Sequence, residues 1–405
     1  MDNWGDNLVA TGDEKPLYIW QKSLGVLNVM QIIAQAPDKN LLVAVSPVDQ
    51  HMLLLGTVPE GQTSIDPMYV RWCDQGNYNV WETKHENTAG GVRLTQGDRI
   101  ISRLQSGQNT LVWTNTSMYR IWYVGPPRTF GTQPLSQVGI IGQFAAIDYR
   151  GVAYWMTHRG FYQYNGTVNN IPCDVRKYVI ANMDPDNAYR TFATINQRFD
   201  EVWWFFPSKP ITPAQVSVMR GPQVNGTVEI ADIPKECDSY VALNTLDGTW
   251  HMGKLQRSAM IGNSAFNLWI YGTDSEGALF DHERGISANG APMGEYLETY
   301  DLDLPTQSGA MYSLVKAFVP DFPVFEGDDE SAIPTDPEIK VILKGRAWSQ
   351  RVQVTEKAMM IATDQRIVKG RLRARQIAIR FEGTDNITNW RAGPPRLDIQ
   401  PDGER

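Results

Sequence analysis

"GVAYWMTHRGFYQYNG", residues 151–166, sets five aromatic rings, one histidine, one arginine and three glycines in a single run. Two readings compete for it. One is an active site, with His158 and Arg159 held over a wall of rings. The other is a hairpin whose rings pack a sheet. Alternation favours the hairpin: Tyr154 and Met156 fall on one face of the first arm, Ala153 and Trp155 on the other, as period two requires. His158-Arg159-Gly160 then fills a turn, and "FYQYN" forms the returning arm.

The same layout recurs outward along the chain. "LVATGDEKPLYIW" (8–20) reads as strand, polar turn, strand, and "NLLVAVSPVDQHMLLLGTV" (40–58) bends at Pro47–Gln50. "RIISRLQSGQNTLVWTNTSMYRIWYVG" (99–125) holds three strands. Further hairpins read at 189–208, at 240–253 around Asp247-Gly248, and at 267–285. The later turns centre near 116, 158, 198, 247 and 275, so most gaps are roughly 40 residues, with one shorter, and about 40 residues is the length of a propeller blade of four short strands. A sandwich would place turns every ~8–12 residues without that grouping. The sequence therefore predicts an all-β chain: an irregular β-propeller over 1–292 with a smaller β-sandwich-like domain over 293–405.

Composition agrees with that class. The 405 residues include 13 Trp, 16 Tyr, 13 Phe, 34 Gly and 24 Pro, the vocabulary of strands and turns. A net charge of −8 argues against a general DNA binder, which needs a basic stripe, but allows an acidic wall past which DNA slides. Cys73, Cys173 and Cys237 lie far apart without metal or disulfide spacing, and read as buried thiols of a reducing compartment. No apolar run approaches the ~18 residues of a membrane helix, and "MDNWGDNLVA" is no signal peptide. Few helix signals occur. "DVRKYVIANM" (174–183) fits a short helix with Val175, Tyr178, Val179 and Met183 on one face, and 25–37 is ambiguous.

Near 292 the texture changes. "GEYLETYDLDL" (294–304) alternates like a half-exposed strand, and 319–340 reads as a loop with the acidic tip "EGDDE" (326–330). In "RLRARQIAIRFEG" (371–383) the arginines fall in phase with Ile377, Ile379 and Phe381. One face cannot bury both sets, so a bulge near Gln376 is expected. The basic run through Lys369, Arg371, Arg373 and Arg375 and the acidic Asp328, Asp329 and Glu330 are candidate complementary docking patches. The bland alternative for the arginines is a charged, solvated edge.

Catalytic signals are weak. His51, His85, His158, His251 and His282 sit at or beside turns, with no metal-ligand spacing, hydrolase elbow or nucleotide loop. No cofactor or metal is expected. "NTLDGTWHMG" approaches the Asp-box turn of propeller glycosidases, but Asp247 and Gly248 are adjacent and the motif occurs once. Asp301/Asp303 and Asp328/Asp329 have the solvation of strands and loops rather than the setting of a catalytic pair.

Several phrases resemble one family: "DNWGDNLVA", "DPMYVRWCDQGNYNVWETKHENTAGGVRL" (66–94), "LVWTNTSMYRIWYVGPPRTFG" (111–131), the run at 151–166, "EVWWFFPS" (201–208) and "WRAGPPRLDIQPDGER" (390–405). They resemble tail nozzle, or packaged-DNA-stabilisation, proteins of short-tailed, podovirus-type double-stranded DNA phages. The resemblance implies a virion protein of the phage tail, a tail hub assembled in the host cytoplasm. It would form a homo-oligomeric ring, a hexamer, below the portal and its adaptor. Such a ring lines the DNA exit channel, retains packaged DNA until ejection, and touches tail fibre or needle proteins. Family members carry β-rich sequence upstream of the "NWG" phrase, so other sequence is expected to complete the propeller. The alternative is a carbohydrate-binding or carbohydrate-cleaving propeller in receptor recognition. A weaker third is a propeller scaffold that binds other proteins.

Overall fold

The structure, a computed structural model, describes residues 1–209, 236–262, 270–274, 276–283, 294–303, 311–319, 321, 324–325, 338–347, 354–362, 365, 367–383, 389–390 and 393–403. It contains two compact units, Met1–His282 and Glu283–Arg405.

The first unit is an irregular β-propeller. Blade 4 is the opening run with its flanks: strands Ala146–Tyr149, Val152–Thr157, Gly160–Tyr164 and Val168–Ile171, paired antiparallel in chain order. Trp155 stands opposite Ala146 on one side and Tyr162 on the other. Blades 1 (2–32), 2 (40–93), 3 (100–136) and 5 (192–254) repeat the four-stranded meander, and blade 6 (259–282) has three strands among the described residues. From blade 1 to blade 6, the first strand of each sheet lies beside the first strand of the next. That places the first strands innermost, as in a propeller.

Side-by-side blades explain why alternation weakens in the middle strands. Ala153 to Thr157 are all buried, because blade 3 covers one face of blade 4 and blade 5 the other. Trp155 reaches Trp113 of blade 3 at 5.4 Å between ring centroids, while Phe161 reaches Trp204 of blade 5 at 5.0 Å. A strand buried on both faces carries a near-continuous apolar run, which accounts for "EVWWFF" and "NLLVAV".

The inner strands are tied by polar side chains. Asp2 Oδ2 accepts the Val45 N–H at 2.9 Å and lies 3.0 Å from Arg103 Nη1, joining blades 1, 2 and 3. Ser106 Oγ donates to Asp148 Oδ2 (2.6 Å) between blades 3 and 4. Tyr149 Oη donates to Asp200 Oδ1 (2.5 Å) between blades 4 and 5, and Thr194 Oγ1 to the Met260 carbonyl (3.3 Å) between blades 5 and 6.

Several expectations change. The turns near 116 and 158 are equivalent, each joining the second and third strands of its blade. Those near 198 and 247 are the first and third turns of blade 5, so the spacing mixed unlike positions. The segment 25–37 is neither a strand pair nor a helix: only Gln31–Ile32 is a strand, closing blade 1. The helix at 174–183 is Arg176–Asn182; Val179 and Met183 are buried, but Tyr178 is exposed.

The second unit is sandwich-like. One sheet orders Tyr296–Glu298, Gln376–Gly383, Glu338–Arg346 and Thr355–Ala362, with Leu302–Asp303 also paired to Gln376–Gly383. The other orders Val368–Ala374, Ser313–Val319 and Arg396–Pro401. Val315, Phe318, Val341, Leu343, Leu372, Ile379 and Phe381 fill the core. No bulge near Gln376 resolves the phase conflict at 371–383. At Arg375 the chain passes from one sheet into the other, so Leu372 and Ala374 reach the core in one phase, and Ile377, Ile379 and Phe381 in the opposite phase. The half-exposed strand expected at 294–304 is two short strands, and Tyr296, Leu297 and Glu298 are all exposed.

Candidate functional site

His158 and Arg159 are exposed at the tip of the blade 4 hairpin. The turn beneath them is built by Thr157, whose Oγ1 accepts the N–H of Arg159 and of Gly160 (3.1 Å each) and donates to the Gly160 carbonyl (3.0 Å). Blade 3 repeats the device. Thr114 Oγ1 accepts the Thr116 and Ser117 N–H groups (3.3 and 2.9 Å) and donates to the Ser117 carbonyl (3.2 Å). The turn-building threonine recurs, whereas the tip residues change from Asn115-Thr116 to His158-Arg159.

The other histidines are dispersed. His85 is exposed, and His251 Nε2 lies 3.1 Å from Glu201 Oε1. His51 is fully buried against the Tyr123 and Phe130 rings, with Nδ1 on Asp49 Oδ2 and Nε2 2.9 Å from Thr88 Oγ1. The order Asp49–His51–Thr88 looks like a nucleophile triad. Yet the Thr88 hydroxyl lies 2.7 Å from Asp74 Oδ1 and accepts the Gln75 N–H at 2.9 Å, while its carbonyl accepts from Trp72 and Thr129. The assembly clamps the 73–89 loop to blade 3. Nothing in the sequence spacing joins Thr88 to His51, 37 residues away.

His282 faces the buried Arg257, whose Nε donates to His282 Nε2 at 2.8 Å. Burial, then the Arg257 charge, lowers its pKa from 6.5 to about 4. The folded state therefore binds this proton less readily than the unfolded chain. Stability is full above pH 6.5 and falls as pH drops toward 4, by about 2 kcal/mol once partial exposure is allowed for. Urea unfolding at pH 7 and pH 5 should show this loss in the wild type and a much smaller one in His282→Gln. Equal slopes would refute it.

The three thiols are free, and burial raises all of them: Cys73 and Cys237 to about 12, Cys173 to about 11. At neutral pH they stay protonated and unreactive. Among the described residues no cluster of His, Cys, Asp and Glu could hold a metal ion. Asp301 is held by Arg346 at 3.1 Å, and the near-Asp-box is a tight turn in which Asp247 Oδ1 accepts both the N–H and the hydroxyl of Thr249.

The basic run proves to be a sheet face. In Val368–Ala374 the odd positions Lys369, Arg371 and Arg373 are exposed, while Val368, Leu372 and Ala374 are buried. Lys316 on the central strand and Arg396 on the third are exposed on the same sheet, and sequence distance concealed both. Arg373 is partly neutralised: Nε donates to Asp402 Oδ2 at 2.6 Å, and the guanidinium lies 4.0 Å from the Tyr312 ring centre. Arg375 differs from its neighbours. It is only 7% exposed, at the sheet crossing and against the same Tyr312 ring, so it cannot belong to an open docking face. Asp328, Asp329 and Glu330 lie outside the described residues.

No family model and no curated protein matches the chain. Among solved structures it is similar to a glycoside hydrolase at 10% identity and a TM-score of 0.25, over 88% of this chain and 95% of that one. It is also similar to the extracellular domain of a one component system from B. thetaiotaomicron, at 11% identity and a TM-score of 0.24, over 97% of this chain and 67% of that one. Likeness at this level carries no argument about activity.

Proposed function

We propose that the chain is a structural component of a phage tail, acting by assembly, channel formation and DNA retention rather than by turnover. In this reading it forms a ring, a hexamer, below the portal and adaptor, contacts tail fibre or needle proteins, and works in the virion as DNA leaves. The sequence phrases that resemble tail nozzle proteins motivate the reading. The structural observation that supports it is the basic sheet face, where Lys369 and Arg371, with Lys316 and Arg396, make no ion pair among the described residues. Such a face suits an acidic neighbour, and ring contacts join unlike faces of successive copies.

Mass measurement of the purified chain, alone and with a portal–adaptor complex, tests the proposal. A ring that binds the adaptor is expected. A strict monomer that ignores the adaptor and binds oligosaccharide would overturn it in favour of a carbohydrate-directed propeller. Arg371→Glu with Arg373→Glu should weaken assembly by about 100-fold at low salt, with the difference shrinking as salt rises. Assembly that tolerates both reversals would reduce the face to a solvated edge.

A further inference from the structure

Arg257, at the entry to blade 6, carries a charge that the fold buries without neutralising. The residue is only 8% exposed. Its Nε donates to His282 Nε2 at 2.8 Å and its Nη1 to the Gln256 carbonyl at 2.6 Å, while the Phe280 ring centre lies 4.3 Å from the guanidinium carbon. His282, with its pKa lowered to about 4, is neutral at pH 7, so both acceptors are uncharged. Among the described residues no carboxylate lies within ion-pair distance of Arg257, and Nη2 has no partner. Asp274 is near enough for its charge to be felt, but its Oδ1 is held by the Glu276 and Ala278 N–H groups at 3.0 Å each. Burial lowers the Arg257 pKa, and Asp274 opposes that only in part.

Other shielded arginines of this unit are satisfied. Arg103 lies 3.0 Å from Asp2, and Arg71 sets Nη1 and Nη2 on the Val58 and Trp81 carbonyls at 3.3 and 2.8 Å. A buried guanidinium without a counter-charge loses hydration that neutral acceptors restore only in part. The blade 6 strands nevertheless make room for it. Gly272 stands opposite Phe280, and His282 follows two residues further along the same strand. A Cβ at Gly272 would lie 2.9 Å from both Cδ and Nε of Arg257 and 2.8 Å from His282 Nε2. The glycine thus leaves the width that the guanidinium fills. Nη2 itself stays open to water, unlike the Nε of Arg71 and of Arg346, which are sealed without partners.

We propose that Arg257 is a binding site for a carboxylate, which approaches at Nη2 and supplies the missing negative charge. Charge balance selects the class. With His282 neutral the site holds one positive charge, and Asp274 and Asp281 add negative potential beside it. A monoanion balances that charge, whereas a phosphate dianion would place excess negative charge beside two carboxylates. The in-plane N–H groups of a guanidinium also match a planar carboxylate, and the Phe280 ring already covers one of its faces. The site is independent of the tail reading, and its test leaves that reading untouched.

Sodium acetate is the probe, on the full chain at pH 7, with sodium chloride at equal ionic strength as the reference. The melting temperature of the propeller unit, followed by tryptophan fluorescence, should lie about 3 °C higher in roughly 100 mM acetate than in chloride. The Arg257 Nε–H resonance, assigned by its loss in Arg257→Lys, should shift to a saturating limit with acetate and stay fixed in chloride. Arg257→Met removes the charge at similar volume, so it should lose the acetate-specific rise and melt in chloride at or above the wild-type temperature. Equal melting temperatures of the wild type in the two salts, with an unmoved resonance, overturn the proposal. So does an acetate rise that survives Arg257→Met. Should that variant fail to fold, the resonance titration of the wild type decides alone. N-acetylglutamate amide separates the sources of the carboxylate: tighter binding than acetate points to an acidic side chain of a partner, and equal or weaker binding to a free acid. Phosphate that binds as tightly as acetate overturns the assignment to a carboxylate.

Discussion

Replacing Gly142 by alanine should lower the melting temperature of the propeller unit by about 5 °C, from a loss of about 3 kcal/mol. A Cβ there would lie 2.3 Å from the Tyr189 carbonyl oxygen and 2.9 Å from its carbon, with the Thr191 oxygen at 3.3 Å. All three are backbone atoms, so no side chain can rotate away, and relief requires the segments that carry blades 4 and 5 to separate. Overpacking of this kind costs about 1–3 kcal/mol even where side chains can adjust. Gly151→Ala is the control. Gly151 sits at φ +79° with nothing within 4 Å of a new Cβ, so only the left-handed backbone resists it, at about 1–2 kcal/mol. Tryptophan fluorescence follows the right unit, because Trp348 and Trp390 are the only two of the 13 tryptophans beyond residue 282. Equal losses for the two variants would show that the blades part without cost.

Gly142 also marks the limit of what could be read from the chain. The hairpins were legible because each turn carries its own chemistry: Thr157 and Thr114 close their turns with bonds to residues two and three away. Such signals lie inside a short window. Contacts between blades do not. Nothing near Gly142 in sequence announces the Tyr189 carbonyl, and nothing near Asp2 announces Arg103, a hundred residues on.

The exposed basic sheet face was legible for the same local reason and incomplete for the same distant one. Lys369, Arg371 and Arg373 alternate within one strand, but Lys316 and Arg396 join them only through sheet pairing. Arg375 keeps the alternation in sequence and loses it in space, because the chain changes sheets there. The apolar loop at 24–32 failed for a different reason. An apolar run normally signals burial, and period counting has no symbol for an apolar segment left in water.

The hairpin at 151–166 yields the sharpest contrast between a structural and a catalytic reading. Trp155→Ala should destabilise the propeller unit by about 3–5 kcal/mol. Trp155 is fully buried, contacts Trp113, and stacks on Tyr162 at 5.7 Å and 22°. Its Nε1 donates to the Gly139 carbonyl at 3.2 Å, so truncation also orphans an acceptor in the strand connection. Trp155→Phe keeps most of the ring contact and should lose about half as much. His158→Ala and Arg159→Ala, two or more residues away, should stay within about 0.5 kcal/mol, as exposed substitutions do. Thr157→Val falls between them, at about 1–2 kcal/mol, because it removes the hydroxyl that closes the turn. Urea unfolding of the five variants ranks them. If His158→Ala or Arg159→Ala abolished a measured function with the fold intact, the tip would be a site after all. If the ranking holds, the fold tolerates change at the tip and not in the rings, the pattern of a blade that packs against its neighbours.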